Sequence, residues 1–242
     1  MSTYTKQQPE SIQQMFGSIA KRYDRTNAIL SFQLHKRWNY ELIKLIGTDE
    51  KTRSLLDLCS GTGDIALRFL RESSELKEVV FLDFCDQMLE IAKQKAYNEQ
   101  LVKKHRLQFV TTDAQSLPFA DSSFDAITVA YGIRNISNLA ACFKEAARVL
   151  KKGGRIGILE LTRPENPILN FGHQTYLKTL LPLMGRLLTE NRDAYRYLSS
   201  SIKNFISPKN INQLLTQCGF EPAMIKPLNG GIATILIARK GF

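Results

Sequence analysis

LLDLCSGTGD, residues 55–64, decides the fold. Leu55, Leu56, Leu58 and Cys59 form a short, nearly continuous apolar run, the pattern of a parallel strand buried on both faces. Gly61 and Gly63 flank Thr62 in a tight turn, after which Ile65, Leu67, Phe69 and Leu70 recur at helical spacing. A second apolar run, Val79-Val80-Phe81-Leu82, ends at Asp83. Strand, helix and strand within about thirty residues make a right-handed βαβ unit of a doubly wound sheet. Working outward, the alternation continues with a helix over 86–98, strands over 107–112 and 124–131, and a helix over 138–150. Lys151 to Gly154 reads as a turn before a strand over 155–161, and a helix over 208–218 starts at Pro208 and stops at Gly219. Two strands near 222–228 and 232–238 follow, and Asn229-Gly230-Gly231 between them is a hairpin signal. The final strand is therefore expected to run antiparallel to its neighbours. The predicted architecture is α/β and Rossmann-like, a mostly parallel sheet of seven strands with helices on both faces.

Two segments stand outside that alternation. Residues 1–50 carry helical patterns around 11–21 and 36–47 and read as a helical cap. Residues 163–206 form an insertion too long for a structureless loop in a compact domain. One domain is expected over 1–242, with its ligand-binding core at 54–161 and the final helix and hairpin at 207–242. The chain has 242 residues, 43% hydrophobic and 23% charged, which excludes disordered and fibrous classes. Its net charge of +10 is uneven: residues 1–121 hold 17 Lys/Arg against 16 Asp/Glu, and residues 122–242 hold 16 against 7. The basic half points to a polyanion, an anionic membrane surface or an anionic ligand. Four cysteines (Cys59, Cys85, Cys142, Cys218) and three histidines (His35, His105, His173) are scattered without metal-ligand spacing. No metal is expected, and a reducing cytoplasmic setting is the natural reading. The polar start MSTYTKQQPESIQQ lacks the apolar core of a signal peptide, and no run of 18 uncharged apolar residues occurs.

The glycine turn has acidic companions. Asp83 ends the second strand 22 residues after Gly61, placed to accept hydrogen bonds from a ribose diol. Asp113-Ala114 follows the third strand, where a carboxylate and a backbone N–H match an adenine edge. Asp57 either anchors the turn through backbone amides or faces the amino group of a zwitterionic ligand. A glycine turn alone is equally compatible with tight strand–helix packing; two acids at strand ends favour a nucleoside site. Between nicotinamide or flavin and a sulfonium nucleoside, the third glycine position discriminates weakly, because Ala66 there is tolerated. Asp64 discriminates better: a carboxylate at a helix start repels a pyrophosphate. A pocket bearing Asp57, Asp64 and Asp83 suits cationic S-adenosylmethionine.

Several stretches closely resemble the quinone C-methyltransferase family of class I methyltransferases, which make menaquinone from demethylmenaquinone and in some organisms methylate a ubiquinone precursor. They are FGSIAKRYDRTNAILSFQLHKRW (16–38), LLDLCSGTGD, DFCDQML (83–89), DAQSLPFADSSFDAITVAYGIRN (113–135), RVLKKGGRIGILEL (148–161), DAYRYLSSSI (193–202) and GGIATILIARK (230–240). The glycine loop and LPF…FD occur widely among methyltransferases; the first block, GIRN and YRYLSSSI are specific to this family. By position, the resemblance implies cofactor contacts from Thr62, Asp83 and Asp113-Ala114, beside Gly61 and Gly63 of the loop. Thr26, Ala28 and Gln33 depart from the Met, Asp and Gly usual there, and Ala130 replaces a cofactor-contacting Ser of many members. The first three bear on the substrate side rather than on the cofactor loop.

Methyl transfer from a sulfonium requires neither a metal nor a covalent intermediate, only in-line approach. For a hydroquinone the nucleophile is the ring carbon ortho to a phenolate, so the enzyme must promote hydroxyl deprotonation and stabilise the oxyanion. Arg134 and Asn135, after the fourth strand, are candidates to offset that charge and orient a ring oxygen; Arg134 paired with Glu160 is the alternative. Tyr23, Asp24 and His35 of the cap are candidate proton acceptors, although His35 in the basic run HKRW reads more readily as solvated surface. The apolar stretch ILNFGHQTYLKTLLPLMGRLL (168–188), broken by Lys178, Pro182 and Arg186, reads as a wall for a polyprenyl tail or a helical pair over the sheet edge. Arg192, Tyr195, Arg196 and Tyr197 fit an interfacial setting. A nucleic-acid methyltransferase also fits the basic half, but Ala130-Tyr131-Gly132-Ile133 stands where amine-directed base methylases carry Asn/Asp-Pro-Pro-aromatic, and Cys142 falls within a helix. A polyprenyl quinol substrate and transient contact with an anionic membrane, without nucleic acid, are the expected partners.

Overall fold

In the computed structural model, which describes residues 8–47, 52–181 and 192–241, a central sheet is sandwiched between two apolar layers. The strands are β1 (Ser54–Leu58), β2 (Glu78–Asp83), β3 (Arg106–Thr111), β4 (Phe124–Ala130), β5 (Leu150–Leu161), β6 (Met224–Leu228) and β7 (Ala233–Arg239). They lie in the order β3-β2-β1-β4-β5-β7-β6. β1 to β5 pair in parallel, and β7 runs antiparallel to both β5 and β6, as the hairpin signal requires. Pro227 sits in edge strand β6, where a missing backbone donor costs least.

Strand alternation divides the apolar residues between the faces. Leu56, Leu58, Val80, Leu82, Ile127 and Val129 meet α6 (Leu139–Val149) and α9 (Pro208–Gln217) through Phe143, Ala146, Ile211 and Leu215. Leu55, Val79, Phe81 and Ala126 face the other way. There they meet α3 (Leu34–Ile46), α4 (Asp64–Glu72) and α5 (Asp86–Asn98) through Leu42, Ile43, Phe69 and Ala92. Phe69 and Phe81 are fully buried, each worth about 2–3 kcal/mol relative to exposure. Asp125 fastens the starts of β1 and β4 by accepting from the Arg53 and Ser54 amides and pairing with Lys151.

The turn expected at Lys151 to Gly154 is instead built into the start of β5. Phe124 pairs with Leu150 and Ala126 with Arg155, so the extra residues are absorbed as an irregularity in the β4–β5 ladder. The cap comprises α1 (Pro9–Ile19), α2 (Tyr23–Leu30) and α3. The insertion contributes α7 (Pro167–Thr175), a π-helical turn at Tyr176–Leu180, and α8 (Arg192–Asn204). Cap and insertion share one apolar cluster, with Ile12, Met15 and Leu30 against Leu177, Leu181, Tyr195 and Ile202. They therefore form a common layer. Pro182 and Arg186 lie outside the described residues.

Candidate active site

Parallel strands deliver their carboxyl ends to one edge, and the candidate residues gather there. The loop after β1 and the ends of β2, β3 and β4 line a cavity of about 280 Å³ with Gly61, Asp83, Asp113, Ala114 and Asn135. Pro9, Ile12, Gln13 and Phe16 of α1 roof it, and the Gln13 side chain donates to the Phe84 carbonyl at 2.6 Å. A second cavity of about 460 Å³ lies between cap, sheet edge and insertion. Tyr23, Cys59, Gly61, Ala130 and Tyr131 line both, so the two spaces meet at the end of β1.

The acids are placed by distinct bonds. Asp83, buried, accepts from the Gly61 amide at 2.8 Å and the Cys85 amide at 2.9 Å. Burial raises its pKa to about 6, against the opposing pull of those amides. Asp57, fully buried, accepts from the Thr128 hydroxyl at 2.6 Å and lies within the pull of the Ala66 amide of α4, while its Oδ2 makes no hydrogen bond of normal geometry. Burial pushes its carboxyl to about 7. Ser60 Oγ is likewise buried and unpartnered. Unsatisfied oxygens beside a glycine turn fit a cationic, hydrogen-bonding ligand, since buried acceptors left empty are costly. Asp113 is exposed and holds Gln115 through its amide and side chain, with Ala114 buried behind it.

Four expectations change in the structure. Gly63 lines neither cavity: it caps α4 at φ +82, and a Cβ there would stand 2.9 Å from the Ala92 Cβ. Its glycine serves helix packing, the plainer of the two readings. Thr62 lines only the second cavity and spends its hydroxyl on Asp24 at 2.5 Å. Asp64 also faces that second cavity, and Lys95 bridges it to Asp24 at 2.8 and 2.6 Å, so its charge is shared rather than free. His35 is not solvated surface; it is buried in α3 and lines the second cavity, because Trp38, Leu42 and Ile46 carry that helix face onto the sheet.

Arg134 does both things the sequence allowed. Its Nη1 pairs with Glu160 Oε1 at 2.5 Å, both side chains buried, yet the residue also lines the second cavity. Burial lowers the guanidinium pKa, but the Glu160 carboxylate and the Tyr23 and Tyr197 phenols together hold it raised. Tyr23 faces Arg134 across the cavity, and burial raises its phenol despite the guanidinium's opposing field. Asn135 Oδ1 accepts from the Tyr197 hydroxyl at 2.9 Å, linking the β4 end to α8. Sequence reasoning missed the contacts that seat α3: the Tyr131 hydroxyl donates to Asn39, and the Trp38 indole to Asn229. Only Asn229 carried a signal, and it read as a hairpin residue.

Residues 3–240 match the pattern of the ubiE/COQ5 methyltransferase family. The chain belongs to that family. A demethylmenaquinone methyltransferase of Protochlamydia amoebophila is 50% identical over 240 residues, covering 99% of both chains. The ubiquinone/menaquinone biosynthesis C-methyltransferase UbiE of Ectopseudomonas mendocina is 35% identical, covering 95% of this chain and 88% of the other. The fold is shared with a solved S-adenosylmethionine-dependent methyltransferase of Aquifex aeolicus at a TM-score of 0.64, with 15% identity, over 93% of this chain and 98% of that one. As a member of the ubiE/COQ5 family, the chain is an S-adenosylmethionine-dependent methyltransferase.

Proposed function

We propose that this methyltransferase methylates a ring carbon of a polyprenylated hydroquinone, converting demethylmenaquinol to menaquinol. One observation carries the reading: the acid-lined cavity at the glycine loop opens directly into a larger, mainly apolar one walled by Leu30, Leu169, Leu177 and Leu181. A nucleic-acid base needs polar edges and a basic rim; a prenyl tail needs what is present here. The likeness to the Protochlamydia enzyme supports the naphthoquinol. The likeness to the Ectopseudomonas enzyme supports a second reading, methylation of 2-methoxy-6-polyprenyl-1,4-benzoquinol in ubiquinone formation.

Bound S-adenosylmethionine supplies a methyl group on a positively charged sulfur. Asp83 and the Asp113-Ala114 pair would hold the nucleoside end beside Gly61, and Asp57 and the Ser60 hydroxyl, on the side of the second cavity, would face the amino-acid end. Arg134 offsets the developing phenolate while Glu160 holds its guanidinium in place, and Asn135, fixed by Tyr197, orients a ring oxygen. Tyr23, its phenol kept protonated by burial, acts as a hydrogen-bond donor rather than a base. The exposed Phe32, Ile168 and Phe171 are apolar residues of the α2–α3 turn and α7, beside the second cavity. They fit transient contact with an anionic cytoplasmic membrane face, where the basic half of the chain adds attraction. Among the described residues, no helix is long and apolar enough to cross a membrane.

The test is transfer from a methyl-labelled donor into demethylmenaquinol and into bulk RNA in parallel. Label in the lipid extract alone supports the reading; label in RNA alone refutes it.

A further inference from the structure

Hydroquinone methylation needs a proton acceptor, and the residues around the second cavity differ in their ability to serve. The Arg134 guanidinium is held protonated by Glu160, and the Tyr23 phenol by burial. The Asp64 carboxylate is engaged by Lys95. Asp57 also lines the cavity, but its carboxyl accepts from the Thr128 hydroxyl and is assigned above to the amino-acid end of the cofactor; that leaves His35 and His173, both buried and both lining the cavity. His173 Nδ1 has no hydrogen-bond partner, so nothing fixes which nitrogen carries the proton. His35 differs. Its Nδ1 lies 2.6 Å from Ser31 Oγ, and that same Oγ donates to the Asn27 carbonyl at 2.6 Å.

A serine hydroxyl has one proton. Asn27 O is a pure acceptor, so the Ser31 proton is committed to it, and Ser31 Oγ must accept from His35 Nδ1–H. The lone pair is thereby left on Nε2, which has no partner among the described residues. We infer that His35 Nε2 is the proton acceptor for the quinol hydroxyl, with Ser31 and the Asn27 carbonyl as the relay that fixes its tautomer. A third group orienting the base of a reacting pair is a recurrent device of acid–base sites. Asn27 and Ser31 lie one helical turn apart at the end of α2, and the left-handed turn at Phe32-Gln33 brings His35 of α3 back onto Ser31.

The proton balance closes on this residue. Nε2 takes the hydroxyl proton, and the ring carbon ortho to the resulting phenolate forms its bond to the methyl carbon. The methyl–sulfur bond breaks with its electron pair going to sulfur. The same ring carbon then gives up its hydrogen as a proton to water, restoring the aromatic ring, and the imidazolium returns its proton to the oxygen. One proton is released per methyl transferred. The surroundings keep the imidazole neutral: burial lowers its pKa below 6.5 with help from Lys36, against Asp64 at the start of α4 and Asp24 on α2. An acid limb in the pH–rate profile is therefore expected below 6.5, rate falling as Nε2 becomes protonated.

The inference rests on the quinol reading above, so its tests are chosen to fail separately. In 15N-histidine NMR of the ligand-free protein, His35 is expected as the Nδ1–H tautomer, and Ser31→Ala mixes the two tautomers; an Nε2–H tautomer in the wild type overturns the relay whatever the substrate. In turnover with saturating quinol and methyl donor, His35→Ala and His35→Gln are expected to lose about 10²- to 10⁴-fold in kcat and the acid limb, with unchanged binding of S-adenosylmethionine. Added imidazole restores part of the His35→Ala rate. Rates within about threefold of wild type with the limb intact, or loss of the limb in Asp57→Asn or His173→Gln instead, assign the base elsewhere. A wild-type enzyme that methylates no quinol refutes the substrate reading, and the NMR result still decides the tautomer.

Discussion

Gln33 occupies left-handed backbone at φ +64, a region that costs a residue with a Cβ roughly 1 kcal/mol, where the related enzymes usually have glycine. The sequence departure noted at that position therefore bears on backbone conformation. Gln33→Gly is expected to raise stability by about 0.5 kcal/mol, the strain relief being partly offset by the greater freedom of glycine in the unfolded chain, and denaturant melts will show it. Gly132 is the converse case. A Cβ there would collide with the Cys59 side chain, so the ends of β1 and β4 approach only because no side chain is there. From the sequence, Asp83 was expected at a strand end facing a ribose diol, and Asp57, inside the first strand, either to anchor the turn or to face an amino group; the protonation of neither was legible, because it depends on burial that only the tertiary fold creates. With carboxyls at about 7 and about 6, both folded-state values lie above the ordinary 3.8. Their contribution to the stability of the ligand-free protein is therefore fullest in acid and is lost as pH rises through 6 to 7. A cationic ligand pulls both values back down, so binding of S-adenosylmethionine near pH 6.5 is expected to release protons. Calorimetry in two buffers of different ionisation heat measures that release; proton uptake would contradict it.

Elements of the core were read to within a residue or two, since each carries its own period and punctuation: Pro208 opens α9, and Asn138 caps α6 by accepting from the Ala141 amide. What resisted reading was the start of β5, where the turn pattern is satisfied inside a strand by a slipped register, and the mutual packing of cap and insertion. Neither has a local signature. Contacts between elements also explain why Arg134 could be read two ways: GIRN places it at the strand end, but only the neighbouring strand supplies Glu160. That pair joins the turn after β4 to β5 in a buried setting, and Glu160 also accepts from the Arg134 and Leu161 amides. Glu160→Gln leaves the guanidinium charge buried without its counter-ion. A loss of about 3 kcal/mol in unfolding free energy is expected, with kcat falling alongside; an unchanged denaturation midpoint would show the pair to be dispensable.

At the scale of the molecule, the place of the candidate cofactor residues at the sheet edge was legible, Gly63 and Thr62 apart, and the substrate half only in outline. Glycines and acids at strand ends announce a nucleoside site because the parallel sheet dictates where they go. The apolar cavity is assembled from α2, α3, α7 and the π-helical turn, segments far apart in the chain, so its shape exists only in the folded molecule. The charge asymmetry gains meaning in the same way, as long-range attraction serving an apolar surface that carries Phe32, Ile168 and Phe171. Phe171→Ser with Ile168→Ser is expected to reduce sedimentation with anionic vesicles severalfold, while added salt weakens the wild type toward its binding of neutral vesicles. Equal binding of the two proteins to anionic vesicles would move the contact elsewhere.

The most direct measurement incubates the purified enzyme with reduced demethylmenaquinone and with reduced 2-methoxy-6-polyprenyl-1,4-benzoquinone, each with a deuteromethyl donor, and locates the label by tandem mass spectrometry. The expected result is one deuteromethyl group on a ring carbon, formed faster on the naphthoquinol. Label on a ring oxygen, or none on either quinol while S-adenosylmethionine binds normally, would contradict it.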